Sequence, residues 1–289
     1  MTRPPTTAHS ILLLPLALLA ACSPKQDPDL SGMSFSEDPL VGKVVWNDLI
    51  TEDVEAARRF YGRLFGWTFE SSSRGGREYV LARSGDVYVA GMVPVDRPPD
   101  GTNFSRWLPY VSVEDVDDAV SRAVSAGGTV AVEPRKVALG QVAAIIDPEG
   151  AVIGLARSDI GDPDDRTTAA APGRVVWTEL LSDDSGAAAA FYEAVVGYDA
   201  KAVERRGGTY TMLANRGVDR AGILQNPSEN WDPVWLTYIA VQDPAAAAAR
   251  AESLGGEILL AVSPDVREGT LAVVADPTGA VLVLQKSST

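Results

Sequence analysis

Histidine and cysteine are almost missing from this chain, which has one of each in 289 residues. A single cysteine forms no intrachain disulfide and no cysteine cluster for zinc. A lone histidine, His9, lies in the first ten residues. Basic residues are scarce against acidic ones, Lys+Arg 25 against Asp+Glu 39, for a formal net charge of -14. That balance excludes a nucleic-acid binder, which needs a basic face to neutralise phosphates. It also excludes docking on anionic lipid by charge. No Gly-rich phosphate loop, no Cys-x-x-Cys and no Gly-x-Ser-x-Gly occurs. What is present is a globular balance, 46% hydrophobic and 22% charged. The length suits two domains.

The N-terminus reads as an address. Arg3 is the only basic residue before the apolar run Ile11–Ala21. That run is too short to cross a hydrocarbon layer about 30 Å thick as a helix, and Pro15 would bend such a helix. Small residues then precede the one cysteine, so residues 1–21 are expected to be a secretory signal. Leu19-Ala20-Ala21-Cys22 resembles a bacterial lipobox. The resemblance implies that Cys22 is acylated and becomes the new N-terminus, anchoring the chain to a membrane. Ser23 in place of Asp after the cysteine implies the outer membrane if the host is Gram-negative. The expected location is therefore the cell envelope, on the periplasmic or surface side. Cleavage removes Arg3 and His9, leaving 24 basic and 39 acidic residues and no histidine. A Ser/His/Asp triad is then impossible. Residues 22–39, polar with Pro and Gly, read as a flexible tether.

The rest of the chain is one domain written twice. Val44-Val45-Trp46-Asn47-Asp48-Leu49 leads to Phe60-Tyr61 and Gly66; Val175-Val176-Trp177-Thr178-Glu179-Leu180 leads to Phe191-Tyr192 and Gly197. Gly127-Gly128 answers to Gly255-Gly256, and Asp147-Pro148-Glu149-Gly150 to Asp276-Pro277-Thr278-Gly279. Residues 40–160 and 173–288 are the two copies, and 161–172 reads as a linker. Within a copy, a strand near Lys43–Ile50 precedes a helix that starts near Asp53 and stops at Gly66. Strands follow around Glu78–Ala82 and Val87–Val93. The second half opens at Trp107–Val113, continues with a helix closing at Gly127-Gly128, and ends in two strands joined at the Asp147-Pro148-Glu149-Gly150 turn. The order is βαβββ, twice per copy.

This pattern resembles the vicinal oxygen chelate superfamily of glyoxalases, bleomycin-resistance proteins and extradiol dioxygenases. The marks are Phe-Tyr…Gly on the first helix, Gly-Gly after the second, and Asp-Pro-x-Gly before the last strand, in order in both copies. The resemblance implies an α+β fold of tandem glyoxalase-like domains, each of paired βαβββ modules forming a half-barrel cleft. Metal-dependent members carry His or Glu at cleft positions held here by Trp46 and Trp177, Leu108 and Leu236, and Gly154 and Val283. None of these side chains binds a divalent cation. No metal and no cofactor is expected.

If the family orientation holds, Trp46, Asp48 and Tyr110 face the first cleft, and Trp177, Glu179 and Tyr238 the second, by the period of two along a strand. An indole wall with one carboxylate and one phenol suits a small organic ligand. Three readings follow. One is a membrane-anchored, metal-independent small-molecule binder. Another is a metal-independent enzyme of isomerase or lyase type with Asp48 or Glu179 as general base. The third is an envelope interaction module with vestigial clefts. The same tryptophans also suit core packing. Catalysis is left open, and a homodimer is compatible with all three. Trp107 and Trp235 fall out of phase and are expected under the helices. Trp231 reads as a loop residue.

Overall fold

The computed structural model describes residues 30–74, 77–97, 103–165, 171–205, 208–227 and 231–287. The expected signal segment 1–21 and Cys22 lie outside the described residues. The first domain runs β1 (Val44–Thr51), α1 (Val54–Phe65), β2 (Thr68–Arg74), β3 (Arg77–Ser84), β4 (Val87–Pro94), β5 (Arg106–Ser112), α2 (Val116–Ser125), β6 (Thr129–Val137), β7 (Gly140–Ile146) and β8 (Val152–Ser158). The second repeats it as β9 (Val175–Ser182), α3 (Ser185–Val196), β10 (Asp199–Arg205), β11 (Gly208–Asn215), β12 (Val218–Gln225), β13 (Val234–Val241), α4 (Pro244–Ser253), β14 (Glu257–Leu260), β15 (Leu271–Ala275) and β16 (Val281–Lys286).

Local chemistry sets these boundaries. Asp53, Asp115, Asp184 and Asp243 each cap a helix, accepting backbone N–H groups of the first turn. Gly66 and Gly197 end α1 and α3 in the left-handed conformation, at φ 74 and 84. Among the alanines of α3 and α4, Ala188, Ala189, Ala248 and Ala251 are buried and the others lie largely at the surface. Strand β2 escapes the sequence reading because Ser71-Ser72-Ser73 carries no apolar alternation; it pairs along β3 at the sheet's end.

Each domain is one eight-stranded sheet, β2-β3-β4-β1-β5-β8-β7-β6 and β10-β11-β12-β9-β13-β16-β15-β14. The two modules of a domain meet where β1 runs antiparallel to β5, and β9 to β13. Period-two alternation then sends Leu49 and Trp107 to the helix side and Trp46, Asp48, Leu108 and Tyr110 to the other face. Trp107 and Trp235 are buried on the helix side as expected.

The two helix-side cores are shared between domains. One joins Val111, Val120 and Ile153 of the first domain to Leu180, Phe191 and Trp235 of the second. The other joins Leu49, Phe60 and Trp107 to Ile239, Val274 and Leu284. The family marks sit on this crossed junction. Tyr61 donates to Asp276 Oδ2 at 2.9 Å, and Tyr192 to Asp147 Oδ2 at 2.9 Å. Trp107 and Trp235 in turn donate to those phenols at 3.2 and 2.9 Å. Burial, then the facing carboxylate, holds both phenol pKa values far up, so both remain donors. Gly128 and Gly256 leave room for the other domain's phenylalanine: a Cβ would stand 3.0 Å from Phe191 and from Phe60, and closer still to a carbonyl oxygen. Domains therefore pair within the chain.

The tether expected over 22–39 is docked in its last part. Phe35 bridges Pro163, and Ser36 N donates to Asp162 O at 2.8 Å. The cause is Asp162, which is buried and accepts from Leu40 N at 2.7 Å and Ser112 Oγ at 2.6 Å. Among the described residues no helix is long and apolar enough to cross a membrane.

Candidate functional site

The face opposite the helices, where the family resemblance places a cup, carries a buried acid in each domain. In the first, Asp48 is fully buried at mid-sheet. Tyr79 donates to Asp48 Oδ1 at 2.6 Å, and the Trp46 indole reaches that same oxygen and the Tyr79 hydroxyl, both at 2.8 Å. Strand register puts Gly91 beside Asp48 and Gly154 beside Tyr110. Both glycines are there for space. A Cβ at Gly91 would lie 1.9 Å from the Tyr79 hydroxyl, and one at Gly154 would lie 2.2 Å from the Tyr110 ring.

The second cup repeats the plan with an added cation. Glu179 is 1% exposed. Tyr238 donates to its Oε1 at 2.7 Å, and Arg267 Nη2 to its Oε2 at 2.6 Å. Tyr210 also hydrogen-bonds Glu179 and accepts from the Trp177 indole at 3.1 Å. Arg267 and Glu268 hold left-handed backbone, φ 47 and 55, a conformation costly for side-chain-bearing residues. Burial opposes the Arg267 charge, but Glu179 and the phenols outweigh it and its pKa is raised. Burial and then Glu179 raise the Tyr210 and Tyr238 pKa values. Both Glu179 oxygens thus already accept a donor.

All six residues expected at the clefts lie on cup faces, and each indole reaches its own floor network. Trp46 and Trp177 are half-buried, between core and wall. Leu108 and Tyr110 close the first floor at 7% and 6% exposure, so a ligand would lie over the floor, not beneath it. Half-buried Val176, Leu224, Val234, Leu260 and Val281 surround the second floor. Trp231 is exposed. Sequence reasoning missed Tyr79 and Tyr210, although the pair keeps the repeat's offset of 131, and it read Gly91 and Gly222 only as positions without a metal ligand. Arg267 had no such signal, because its turn has no counterpart in the first domain.

The divalent metal of glyoxalases and dioxygenases does not fit these floors. Trp46 and Trp177 supply no lone pair, and the Tyr110 ring fills the space a side chain at position 154 would need. Among the described residues no three His, Cys, Asp or Glu side chains converge.

Two βαβββ modules per sheet, and a cup opposite the helices, define a tandem glyoxalase-type protein. The chain belongs to the Glyoxalase/Bleomycin resistance protein/Dioxygenase superfamily, whose model matches residues 42–155, while a glyoxalase-like domain model matches residues 177–284. Among its relatives is CFP32 of Mycobacterium tuberculosis, whose name carries the word glyoxylase. It is 34% identical over 249 residues, covering 83% of this chain and 93% of that protein. The anthracycline biosynthesis protein DauV of Streptomyces sp. is 32% identical over 254 residues, covering 83% and 91%. The fold is shared with the Mn(II)-bound glyoxalase from Novosphingobium aromaticivorans, at TM-score 0.57 and 17% identity over 85% of this chain and 82% of that one.

Proposed function

We propose that this chain is a lipid-anchored envelope protein whose cups bind small organic molecules with an apolar, aromatic body, without a metal. The observation that carries the reading is the repeated floor: a buried carboxylate held by phenols, an indole half-open to solvent, and an apolar surround. Such a surface offers a planar ligand stacking area, with few polar groups to orient it. A relative named for anthracycline biosynthesis points to the same ligand class. Binding is favoured over general-base catalysis in the second cup. A base must take up a proton, and both Glu179 oxygens are committed to an arginine and a phenol.

The test is titration of the purified protein with an anthracycline, followed by thermal shift and tryptophan quenching. Saturable stabilisation that survives EDTA is expected, reduced about tenfold in affinity when Trp46 and Trp177 are both changed to Ala, from loss of aromatic stacking. No stabilisation by any compound of a polycyclic aromatic series would sink the reading, as would stabilisation abolished by EDTA and restored by a metal. The anchor is tested separately. Cys22→Ser should move the protein from the membrane to the soluble fraction, because the acyl chains contribute about 0.8 kcal/mol per buried CH₂. Unchanged membrane association would remove the lipid anchor.

A further inference from the structure

Between the domains lies a cleft of ≈ 120 Å³ where the start of β1 faces the starts of β9 and β12; it shares Trp177 with the second cup, but its charged groups belong to no cup. Its walls include Lys43, Arg220, Val175 and Trp177, together with the carboxylates Asp165 and Asp219. Lys43 and Arg220 are the unusual members. Their side chains are only 8% and 9% exposed. Cations almost never go under this far without full pairing.

Their pairing is thin. Lys43 Nζ and Arg220 Nη1 converge on one oxygen, Asp165 Oδ1, at 3.0 and 2.9 Å. Lys43 adds the Pro163 carbonyl at 2.6 Å. Arg220 Nε is buried and has no acceptor among the described residues. Asp165 itself is 59% exposed and belongs to the interdomain linker. Two desolvated cations beside a small cavity therefore share a carboxylate lent by a surface segment. A guanidinium fork with an ammonium beside it matches an oxyanion. Val175, Val176 and Trp177 line the cleft beside them and supply its apolar part.

We propose that this cleft is a binding site for a small carboxylate with a compact apolar body, and that Asp165 is its built-in occupant. The incoming carboxylate takes the place of the Asp165 carboxylate on Lys43 and Arg220, and its body lies along Val175 and Trp177. The cavity is smaller than the roughly 300–1,000 Å³ of drug-sized sites, which limits the ligand to one small ring or a short chain.

Asp165→Asn tests this by weakening the internal competitor. Titrated with sodium benzoate in purified full-length protein, the variant should show saturable stabilisation with an affinity about tenfold above wild type, because the competent open state is no longer masked. Sodium chloride at equal ionic strength should not reproduce it, and inorganic phosphate, lacking the apolar body, should bind more weakly. Arg220→Met should abolish the benzoate response of the otherwise wild-type protein, a comparison that stands even if Asp165→Asn does not fold. Benzoate responses that are unsaturable, or equal in wild type and Arg220→Met, overturn the site. Stabilisation by phosphate in preference to benzoate overturns the ligand class.

Discussion

Gly222→Ala is expected to cost about 4 kcal/mol, a large share of a domain's stability. The added methyl would stand 1.6 Å from the Tyr210 hydroxyl and 2.2 Å from the ring carbon bearing it. The far end of a surface side chain could step aside. Tyr210 is 1% exposed, and its hydroxyl is tied to Trp177 and Glu179. Overpacking alone costs about 1–3 kcal/mol. Driving the phenol away also breaks a hydrogen bond to a buried carboxylate, worth about 1.5–3 kcal/mol. Gly91→Ala should behave alike in the first cup, with Tyr79 and Asp48 as the displaced pair. Urea denaturation measures both. A loss below about 1 kcal/mol would mean that the phenol does not lie across the glycine. Ligand titration of any folded fraction should show the second cup weakened and the first unchanged.

Asp147→Ala should cost about 3–5 kcal/mol, since three donors lose their acceptor together. Asp147 Oδ1 closes its own turn, accepting from Glu149 N at 3.0 Å and Ala151 N at 2.9 Å. Its Oδ2 accepts from Tyr192 across the domain junction. Tyr192 is fully buried, so its hydroxyl has no water to turn to. Asp147→Asn keeps the turn acceptor and loses only the cross-domain one, so its cost should fall between wild type and Ala. Burial raises the Asp147 pKa, with the Tyr192 hydrogen bond working against that rise. A raised acid binds its proton more tightly folded than unfolded. This group alone therefore favours the folded state as pH falls from its raised value toward the ordinary one. The slope it contributes should vanish in the Asn variant. An Ala variant as stable as wild type would show that the domains do not lock through this aspartate.

These effects rest on residues that were unequally legible. Phe60-Tyr61, Gly127-Gly128 and Asp147-Pro148-Glu149-Gly150 stood out as repeated marks, but their joint purpose did not. Each contacts the other domain, and contacts between distant segments leave no local spacing to read. Period-two alternation along one strand put Trp46 and Asp48 on a common face, and the family resemblance implied that this face is the cup. Tyr79 and Tyr210 hydrogen-bond the carboxylates, yet each comes from two strands away, reaching across the intervening glycine, and that register depends on pairing. Strand β2 was invisible because polar serines at a sheet's end serve hydrogen bonding without burial.

Composition and repetition by themselves determined that this chain is acidic, that its one histidine is His9, and that it holds two copies of a βαβββ-paired domain. Those properties are additive along the chain, so counting and alignment of the copies reach them. Only the tertiary structure decided that the copies exchange halves of their cores, that the cup carboxylates are held by phenols and an arginine, and that two buried cations meet a linker aspartate. Those are properties of side chains far apart in sequence. Burial, which makes their pairing matter, does not exist until the chain has folded.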